Sequence, residues 1–582
     1  MITRAAPRVL VAHRPGRASG GLSFRVGYAD ETLPTSGTTA LVVALALRAV
    51  ERPGLDVSAS VGPAVTRFQV SGSPDRVRST LRDLAAALAD LPVRHRATET
   101  RALREQAGAG EGAVASWRYG LSGYGLGPHQ SVGLHRVSDS ELRAWSRERF
   151  TVANLVAWLV GEVTGELDLP LPAGAAFHAL TPPEPLAGSR TFPAEAPAGG
   201  SHVRWDAVAP DGPALAVLAE VARRAVFQNL RHEKGWTYDV EATVRPLDGR
   251  LASLQLAAGL RRETAAEATG EFLDTLGRLR HTVSDDELEL ARGHLLAVHD
   301  EPHQDAVWLA DDAMCVLLGA PVPTHTERRA ALADVTPADV VHVARQVWDT
   351  GLLVTPVGSG WAGTAEVSRG AGEAVAGTAF ERTDTDATVW LGKDGATFRA
   401  GRTTTTVRFD RTAGLLVHPD GGRLLVGLDG AQVPLEPALH EDLHAAALPA
   451  LVDEHLPADV VIPVPRSRAP EAPGPDQLRQ ARKARSERET ADNGLDRTFD
   501  STAGALRELV LVCLLGLGAI VGLLGALLCG GSLVGWLFSL GDGAPRWQEP
   551  ALAVAVGLAC AGLAWLCTWG ITRPARRTSK TA

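Results

Sequence analysis

One stretch of the sequence has the spacing of a zinc site. HEDLH matches the HExxH pattern, with His440 and His444 four residues apart and Glu441 between them. On a helix, two histidines at this spacing lie on one face and can bind Zn²⁺, while the glutamate acts as a general base. Glu454 or His455 would supply a third ligand. A solvated helix face explains the same stretch, because such short patterns arise by chance at a polar helix start.

A second pair of histidines has a similar spacing. HDEPH places His299 and His303 four residues apart, but Pro302 is expected to end the helix that would align them. No HxxEH motif, the reversed form of the zinc pattern, occurs anywhere in the chain. The remaining histidines are scattered, which is typical of surface or core positions.

Helical and strand patterns alternate through the N-terminal part of the chain, and this part repeats itself. Residues 137–161 resemble residues 335–358, and each copy begins with a hydroxyl residue followed three positions later by an acid. Such pairs predict helix starts with capping boxes. The pairs are Ser138 with Glu141 and Thr336 with Asp339. Two copies at a period of about 200 residues predict a duplicated α+β domain.

Domain boundaries follow from changes in composition. Short β-rich runs separated by Asp-Gly and Gly-Gly turns predict a small antiparallel domain, followed by a helix that Pro449 kinks or divides. A pleckstrin-homology-like module fits this pattern, and other small β-domains fit it nearly as well. The predicted order is a first α+β domain (1–185), a second (186–362), the β-rich domain (374–465), a charged linker (466–506) and two transmembrane helices (507–572).

Two apolar segments near the C-terminus predict a membrane anchor. Residues 509–538 and 550–572 carry no charge, and each exceeds the roughly 18–20 apolar residues that span a bilayer. Basic residues flank the pair on both outer sides, whereas the loop between the segments has only Arg546. The positive-inside rule therefore places both termini and the soluble domains in the cytoplasm. The expected location is a bacterial cell membrane, crossed twice.

The composition argues against several classes of function. The chain has 582 residues and a formal net charge of −9, which is small for this size and gives no sign of nucleic-acid binding. The five cysteines fit neither a disulfide framework nor a zinc motif, which indicates a reducing, intracellular setting. Abundant Ala, Gly, Arg and Pro are typical of a GC-rich bacterial genome.

Three segments in the second copy of the repeat form an ordered set. They are FQNLRHEKGWTYDVEA (227–242), SDDELELARGHLL (284–296) and VTPADVVHVARQVW (335–348). This set resembles the second half of the pitrilysin/insulinase metallopeptidases, whose corresponding segments read like LRExxGLAYxV, TxEELxxAKxxL and VTxxDVxxVA. The resemblance covers about residues 8–360. It implies the duplicated α+β fold of that family.

The first long helix decides whether the resemblance includes catalysis. In active relatives this helix follows a Gly and carries HxxEH, whose histidines bind zinc and whose glutamate activates water. Aligning Gly37 with that Gly puts Ala40 and Ala44 at the two histidines and Val43 at the glutamate. Glu105 is the nearest candidate for the third ligand, although a solvated helix face explains it as well. The resemblance therefore implies a non-catalytic homologue with no catalytic residue, bound metal or other cofactor.

The resemblance also assigns a substrate-binding role to Arg231 and Tyr238, seven residues apart. In active relatives an Arg and a Tyr from the second half bind the backbone of an extended peptide near the scissile bond. A guanidinium and a phenol can both donate to a carbonyl oxygen and stabilise a developing oxyanion. A structural role is equally open, because LRHEKG is also a good helix C-terminus with Gly235 as its cap, and Tyr238 can simply open a strand.

The predicted function is that of a membrane-anchored, inactive subunit that binds a peptide or unfolded protein. Its partner is expected to be a zinc-bearing homologue, in a heterodimeric peptidase, or a second copy of the chain. Three alternatives stay open at this point. They are a purely structural scaffold, an active zinc peptidase that uses HEDLH or unrecognised ligands, and an adaptor that acts through the β-rich domain.

Overall fold

The computed structural model describes residues 8–474 apart from short gaps. The gaps are 52–55, 107–112, 163–166, 176–190, 198–199, 302–304, 358–359, 467, 472–473 and the single positions 362, 371, 384, 402 and 441. Both predicted membrane spans and most of the predicted linker lie outside the described residues. Within the described part, one segment, Leu33–Val50, has the length and hydropathy of a membrane span, but 67% of it is buried. Such burial is typical of a core helix.

The first domain is built on a mixed β-sheet. Its described strands are β1 (Arg8–Ala12), β2 (Ala18–Phe24), β3 (Asp56–Val61), β4 (Thr66–Gly72) and β5 (Leu155–Val160). Its described helices are α1 (Thr38–Val50), α2 (Pro74–Ala89), α3 (Arg96–Gln106), α4 (Ala113–Tyr119) and α5 (Asp139–Arg149). The strands lie in the order β1-β5-β2-β4-β3, and β1 pairs with β5 in parallel. Phe24, Phe68 and Phe150 contact one another edge to face in the core between sheet and helices.

The second domain repeats this arrangement. Its described strands are β6 (Ala194–Pro197), β7 (His202–Pro210), β8 (Val240–Pro246), β9 (Leu251–Gly259), β10 (Leu352–Thr355) and β11 (Ala365–Glu366). Its described helices are α6 (Pro213–Phe227), α7 (Ala265–Leu279), α8 (Asp285–His299), α9 (Asp305–Leu318), α10 (His325–Ala333) and α11 (Pro337–Asp349). The strand order, β11-β6-β10-β7-β9-β8, is that of the first sheet with β11 added at one edge.

Both predicted helix starts are confirmed. The side chains of Ser138 and Thr336 each accept a hydrogen bond from the backbone N–H of the acidic residue three positions on, and that acid bonds back to complete a capping box. These caps begin α5 and α11, and the next strand after each helix is β5 or β10. The mixed α+β class expected from the sequence is therefore present.

The third part of the chain is rich in β-structure. Its described strands are β12 (Gly377–Glu381), β13 (Thr388–Gly392), β14 (Gly395–Ala400), β15 (Thr403–Arg408), β16 (Thr412–Val417), β17 (Arg423–Gly427), β18 (Gln432–Leu435) and β19 (Val461–Pro463). They form two sheets, β12-β13-β14-β15 and β18-β17-β16-β19, around a shared apolar core. The N–H of Leu121 donates to the carbonyl of Leu428 at 2.7 Å, which ties this part to the first domain.

The helix expected after these strands is short. It consists of α12 (Leu448–Leu451), with single 3₁₀ turns before and after it. Pro449 lies in the first turn of α12, where its missing N–H needs no partner. The proline therefore belongs to a helix start. The predicted longer helix, kinked or divided by Pro449, is absent from the described residues.

Strand β5 is covered on both of its faces. Leu155, Ala157 and Leu159 point into the core beneath the first domain's helices. Val156 and Trp158 point to the other face and pack against α9 of the second domain. This explains why the sequence LVAWLV is apolar throughout, since a strand with one solvated face would alternate.

A buried ion pair also joins the first two domains. The side chains of Arg118 on α4 and Asp206 on β7 are 1% and 6% exposed, and 2.5 Å separates Nε from Oδ1. The same guanidinium donates to the backbone carbonyls of Asp206 and Thr350, at 2.7 and 2.9 Å. Gln255 donates to the second carboxylate oxygen at 3.1 Å. Both charged groups are therefore hydrogen-bonded although they are buried.

Candidate functional site

Helix α1 places alkyl groups where active relatives carry their zinc ligands. Ala40, Val43 and Ala44 lie on successive turns of α1, with Val43 buried and both alanines half-buried. None of these side chains has a lone pair to offer a metal. Glu105, the candidate third ligand, lies exposed near the end of α3. Among the described residues it joins no cluster of three potential ligands.

The start of α1 is held by a buried carboxylate that the sequence motifs did not indicate, that of Glu31. It accepts the backbone N–H groups of Gly37 and Thr39, both at 2.7 Å. Gly37 adopts a φ of +89°, and a Cβ there would lie 1.7 Å from the carbonyl oxygen of Gln130. Burial raises the pKa of Glu31 to about 7, although the two N–H donors act to lower it.

The pH dependence of the protein's stability should reveal the raised pKa of the Glu31 carboxyl group. Its pKa rises on folding from an ordinary value of 4.5 to about 7, so the folded state binds the proton more tightly than the unfolded state. The resulting stabilisation is fully present below pH 4.5 and is lost as the pH rises through 7. We expect the free energy of unfolding, relative to Glu31→Gln, to fall by about 3 kcal/mol across this range. Urea titrations at each pH measure the difference, and a constant value would contradict the expectation.

The HEDLH stretch does not form the predicted helix. His440 pairs with Arg382 in an isolated β-bridge, and its Nδ1 lies 2.9 Å from a backbone carbonyl oxygen. Asp442 has a φ of 60°, and the backbone of His444 is extended. His440 is buried and His444 is exposed, so the two imidazoles do not share a helix face. The zinc-binding helix and the solvated helix face, the two interpretations that the sequence offered, are therefore both wrong. Glu441 lies outside the described residues.

Arg231 and Tyr238 lie against each other at the surface. The guanidinium carbon of Arg231 is 5.2 Å from the centre of the Tyr238 ring. The guanidinium of Arg261 is 5.0 Å from the same ring and donates a 2.5 Å hydrogen bond to its hydroxyl. Tyr238 is 67% exposed. The structure thus brings the two predicted residues together and adds a third, Arg261.

A π-helical turn, Gln228–Glu233, continues α6 and positions Arg231. Asn229 donates to Glu271 on α7 at 3.0 Å, and Lys234 forms a 3.0 Å ion pair with the same carboxylate. These contacts fix one side of the turn to α7 and leave Arg231 exposed. Single π-helical turns inside α-helices are frequent at functional sites, since they change which side chains face outward.

The helix end with Gly235 as its cap, which the sequence offered as a structural explanation, is present. Gly235 adopts a φ of +68°, and the N–H of Trp236 donates to the carbonyl of Leu230 at 2.8 Å, so the helix ends as expected for a glycine cap. Neither feature uses the side chain of Arg231. Within the described part of the chain this side chain contacts the Tyr238 ring and makes no hydrogen bond or ion pair. Its N–H donors are available to a ligand.

The sequence analysis missed Arg261, although the hairpin formed by β8 and β9 brings this residue beside Tyr238. Strands β8 and β9 are antiparallel, with Val240 opposite Ala258. Residues just before β8 therefore lie beside residues just after β9, which places Tyr238 near Arg261. The alternating strand patterns on either side of the LDGR turn carry this information.

The duplicated fold has solved counterparts. The crystal structure of a peptidase M16 inactive domain from Pseudomonas fluorescens superimposes with a TM-score of 0.50 at 16% identity, over 60% of this chain and 94% of that chain. A chain of complex III2 from Candida albicans gives 0.49 at 16% identity, over 59% and 92% of the two chains. The periplasmic protease PqqL from Escherichia coli gives 0.47 at 13% identity, over 72% and 54%. No curated protein matches the sequence.

Residues 204–295 match the family model described as the peptidase M16 inactive domain. Over its second domain the chain is a pitrilysin/insulinase-like homologue. Arg231, Tyr238 and Arg261 of the pitrilysin-like chain all lie inside the matched segment, and helix α1 lies outside it. The homologue lacks the HxxEH motif of the active peptidases throughout its sequence.

Proposed function

We propose that this pitrilysin-like chain is the substrate-holding subunit of a heterodimeric peptidase, in which a homologous partner supplies the zinc site. The exposed contact between Arg231 and Tyr238 carries the proposal. Two polar side chains with unused donors stand at the surface of the matched domain, while Ala40, Val43 and Ala44 occupy the ligand positions on α1. Among the described residues, the chain therefore has groups that can bind a peptide, while α1 offers no ligand for the zinc that would cleave it.

The chemistry of the three side chains fits a peptide carbonyl. Arg261 donates to the phenol oxygen of Tyr238, so the phenol proton can be donated outward. Arg231 lies over the same ring and offers N–H groups of its own. A carbonyl oxygen that gains negative charge during peptide cleavage is stabilised by such fixed donors, and the gain is greatest where water is excluded. A zinc-bearing partner docked over this surface would exclude that water.

Affinity purification from native membranes tests the proposed partnership. We expect a homologue with an intact HxxEH motif to be recovered with the tagged chain in equal amount. The purified pair should cleave an unfolded peptide, and the chain alone should not. Recovery of the chain only with itself, or with partners unrelated to zinc peptidases, would favour the structural scaffold instead.

We further propose that the chain is anchored in a bacterial membrane with its soluble part in the cytosol. The two apolar segments, 509–538 and 550–572, support this proposal together with the basic residues on their outer flanks. Protease added to intact spheroplasts should spare an N-terminal tag, and the same protease should digest it once detergent opens the membrane. Digestion before the detergent is added would contradict this topology.

A further inference from the structure

Three potential metal ligands meet between α8 and α10, away from the Arg231 surface. His299 is the last residue of α8, Asp300 follows it, and His325 is the first residue of α10. Their ligand atoms all lie within 4.8 Å of one another. The sequence pointed to His303 as the partner of His299, but His303 and Pro302 lie outside the described residues. The fold supplies a different partner, His325.

His299 is the buried member of this cluster. Its side chain is 1% exposed and packs against the rings of Trp308 and His325, with centroids 4.7 and 3.9 Å away. Its Nδ1 lies 3.3 Å from Oδ1 of Asp300. Its Nε2 is buried and has no hydrogen-bond partner among the described residues. A buried nitrogen lone pair without a partner costs free energy, and a bound cation would remove that cost.

We propose that His299, Asp300 and His325 bind a divalent transition-metal ion of the zinc type. Two imidazoles and one carboxylate form a donor set that zinc commonly uses, and harder ions such as Mg²⁺ prefer oxygen alone. Asp300 and His325 are exposed, so their side chains can close the remaining distance and water can complete the coordination. The site lies apart from α1, and it goes beyond the sequence expectation that the chain holds no metal.

The charges around the cluster are compatible with a bound cation. Arg329 donates to both oxygens of Asp300, at 3.1 and 3.0 Å, and Oδ2 keeps a further lone pair for an ion. Arg328 lies over the Trp308 ring and is neutralised by an ion pair with Asp312. An ion bound here would join the end of α8 to the start of α10. It would therefore act on stability, independently of whether the chain holds a peptide.

Metal titration of the full-length chain tests this proposal. The protein is purified in detergent, stripped with a chelator and titrated with Zn²⁺ and with Co²⁺, whose visible absorption reports nitrogen ligation. The variants are His325→Ala and Asp300→Asn, because both residues are exposed. His444→Ala serves as the matched control, since His444 is an exposed histidine outside the cluster.

We expect wild type and His444→Ala to bind the same amount of metal and to melt at a higher temperature when Zn²⁺ is present. His325→Ala and Asp300→Asn should weaken zinc binding by about tenfold or more and should lose the thermal shift. Equal zinc affinity in wild type and His325→Ala would overturn the proposal. So would a wild-type chain that shows no cobalt absorption and no thermal shift.

Discussion

Arg231→Ala is expected to lower the cleavage rate of the reconstituted pair by about a hundredfold or more. A donor that stabilises the transition state is worth about 3–4 kcal/mol in the activation free energy. The stability of the chain should hardly change, because loss of an exposed basic residue near a helix C-terminus costs about 0.3–1 kcal/mol. Tyr238→Phe, which removes one hydroxyl, should also slow cleavage. Initial cleavage rates and melting temperatures measured together check both variants.

Arg250→Ala is the control for these two variants. Arg250 is an exposed arginine in the turn between β8 and β9, at the opposite end of the hairpin from Tyr238. Its loss removes the same charge and should leave the cleavage rate unchanged. If Arg231→Ala and Tyr238→Phe melt early while the pair still cleaves at the normal rate, the two residues are structural and the scaffold function gains support.

Arg118→Ala is expected to lower the free energy of unfolding by about 3–5 kcal/mol. The change leaves the carboxylate of Asp206 buried without its cation, and an uncompensated buried charge is strongly destabilising. It also removes the donor to the carbonyl of Thr350. Urea titration followed by tryptophan fluorescence should detect the loss, since Trp158 and Trp205 are buried in the first and second domains.

Arg17→Ala is the matched control for this effect. The Arg17–Asp56 pair has a 3.3 Å contact, but its side chains are 67% and 70% exposed. Exposed pairs contribute about 0–1 kcal/mol, so this variant should unfold close to wild type. A double variant, Arg118→Met with Asp206→Leu, should recover much of the stability, because it removes both charges at once. Equal losses in Arg118→Ala and Arg17→Ala would contradict the role of the buried pair.

The features that the sequence predicted well are encoded by neighbouring residues. Ser138 and Thr336 each form their capping boxes with an acid three positions away, so their geometry is fixed inside one helical turn. Arg231 and Tyr238, which the family resemblance named together, lie side by side because only a helix end and a glycine cap separate them, and their substrate-binding role stays a prediction. The repeat then supplied the fold class, because two copies of one local pattern require two similar domains.

The features that escaped prediction depend on residues far apart in the chain. His440 matched a helical zinc motif, but its β-bridge to Arg382 fixes an extended backbone instead. Arg118 and Asp206 are 88 positions apart and share no local pattern. His325 reaches His299 only because α10 returns to the end of α8. In each case tertiary contacts decide the conformation, and no local signal records them.

Because α9 of the second domain packs on β5, the first domain cannot finish folding on the ribosome until α9 has been synthesised. The face of β5 that carries Val156 and Trp158 is closed by α9, which belongs to the second domain. Synthesis proceeds at about 5–20 residues per second, so this apolar face stays open for roughly ten to thirty seconds after β5 has been made. The first domain therefore exposes this apolar face to solvent until α9 has been made.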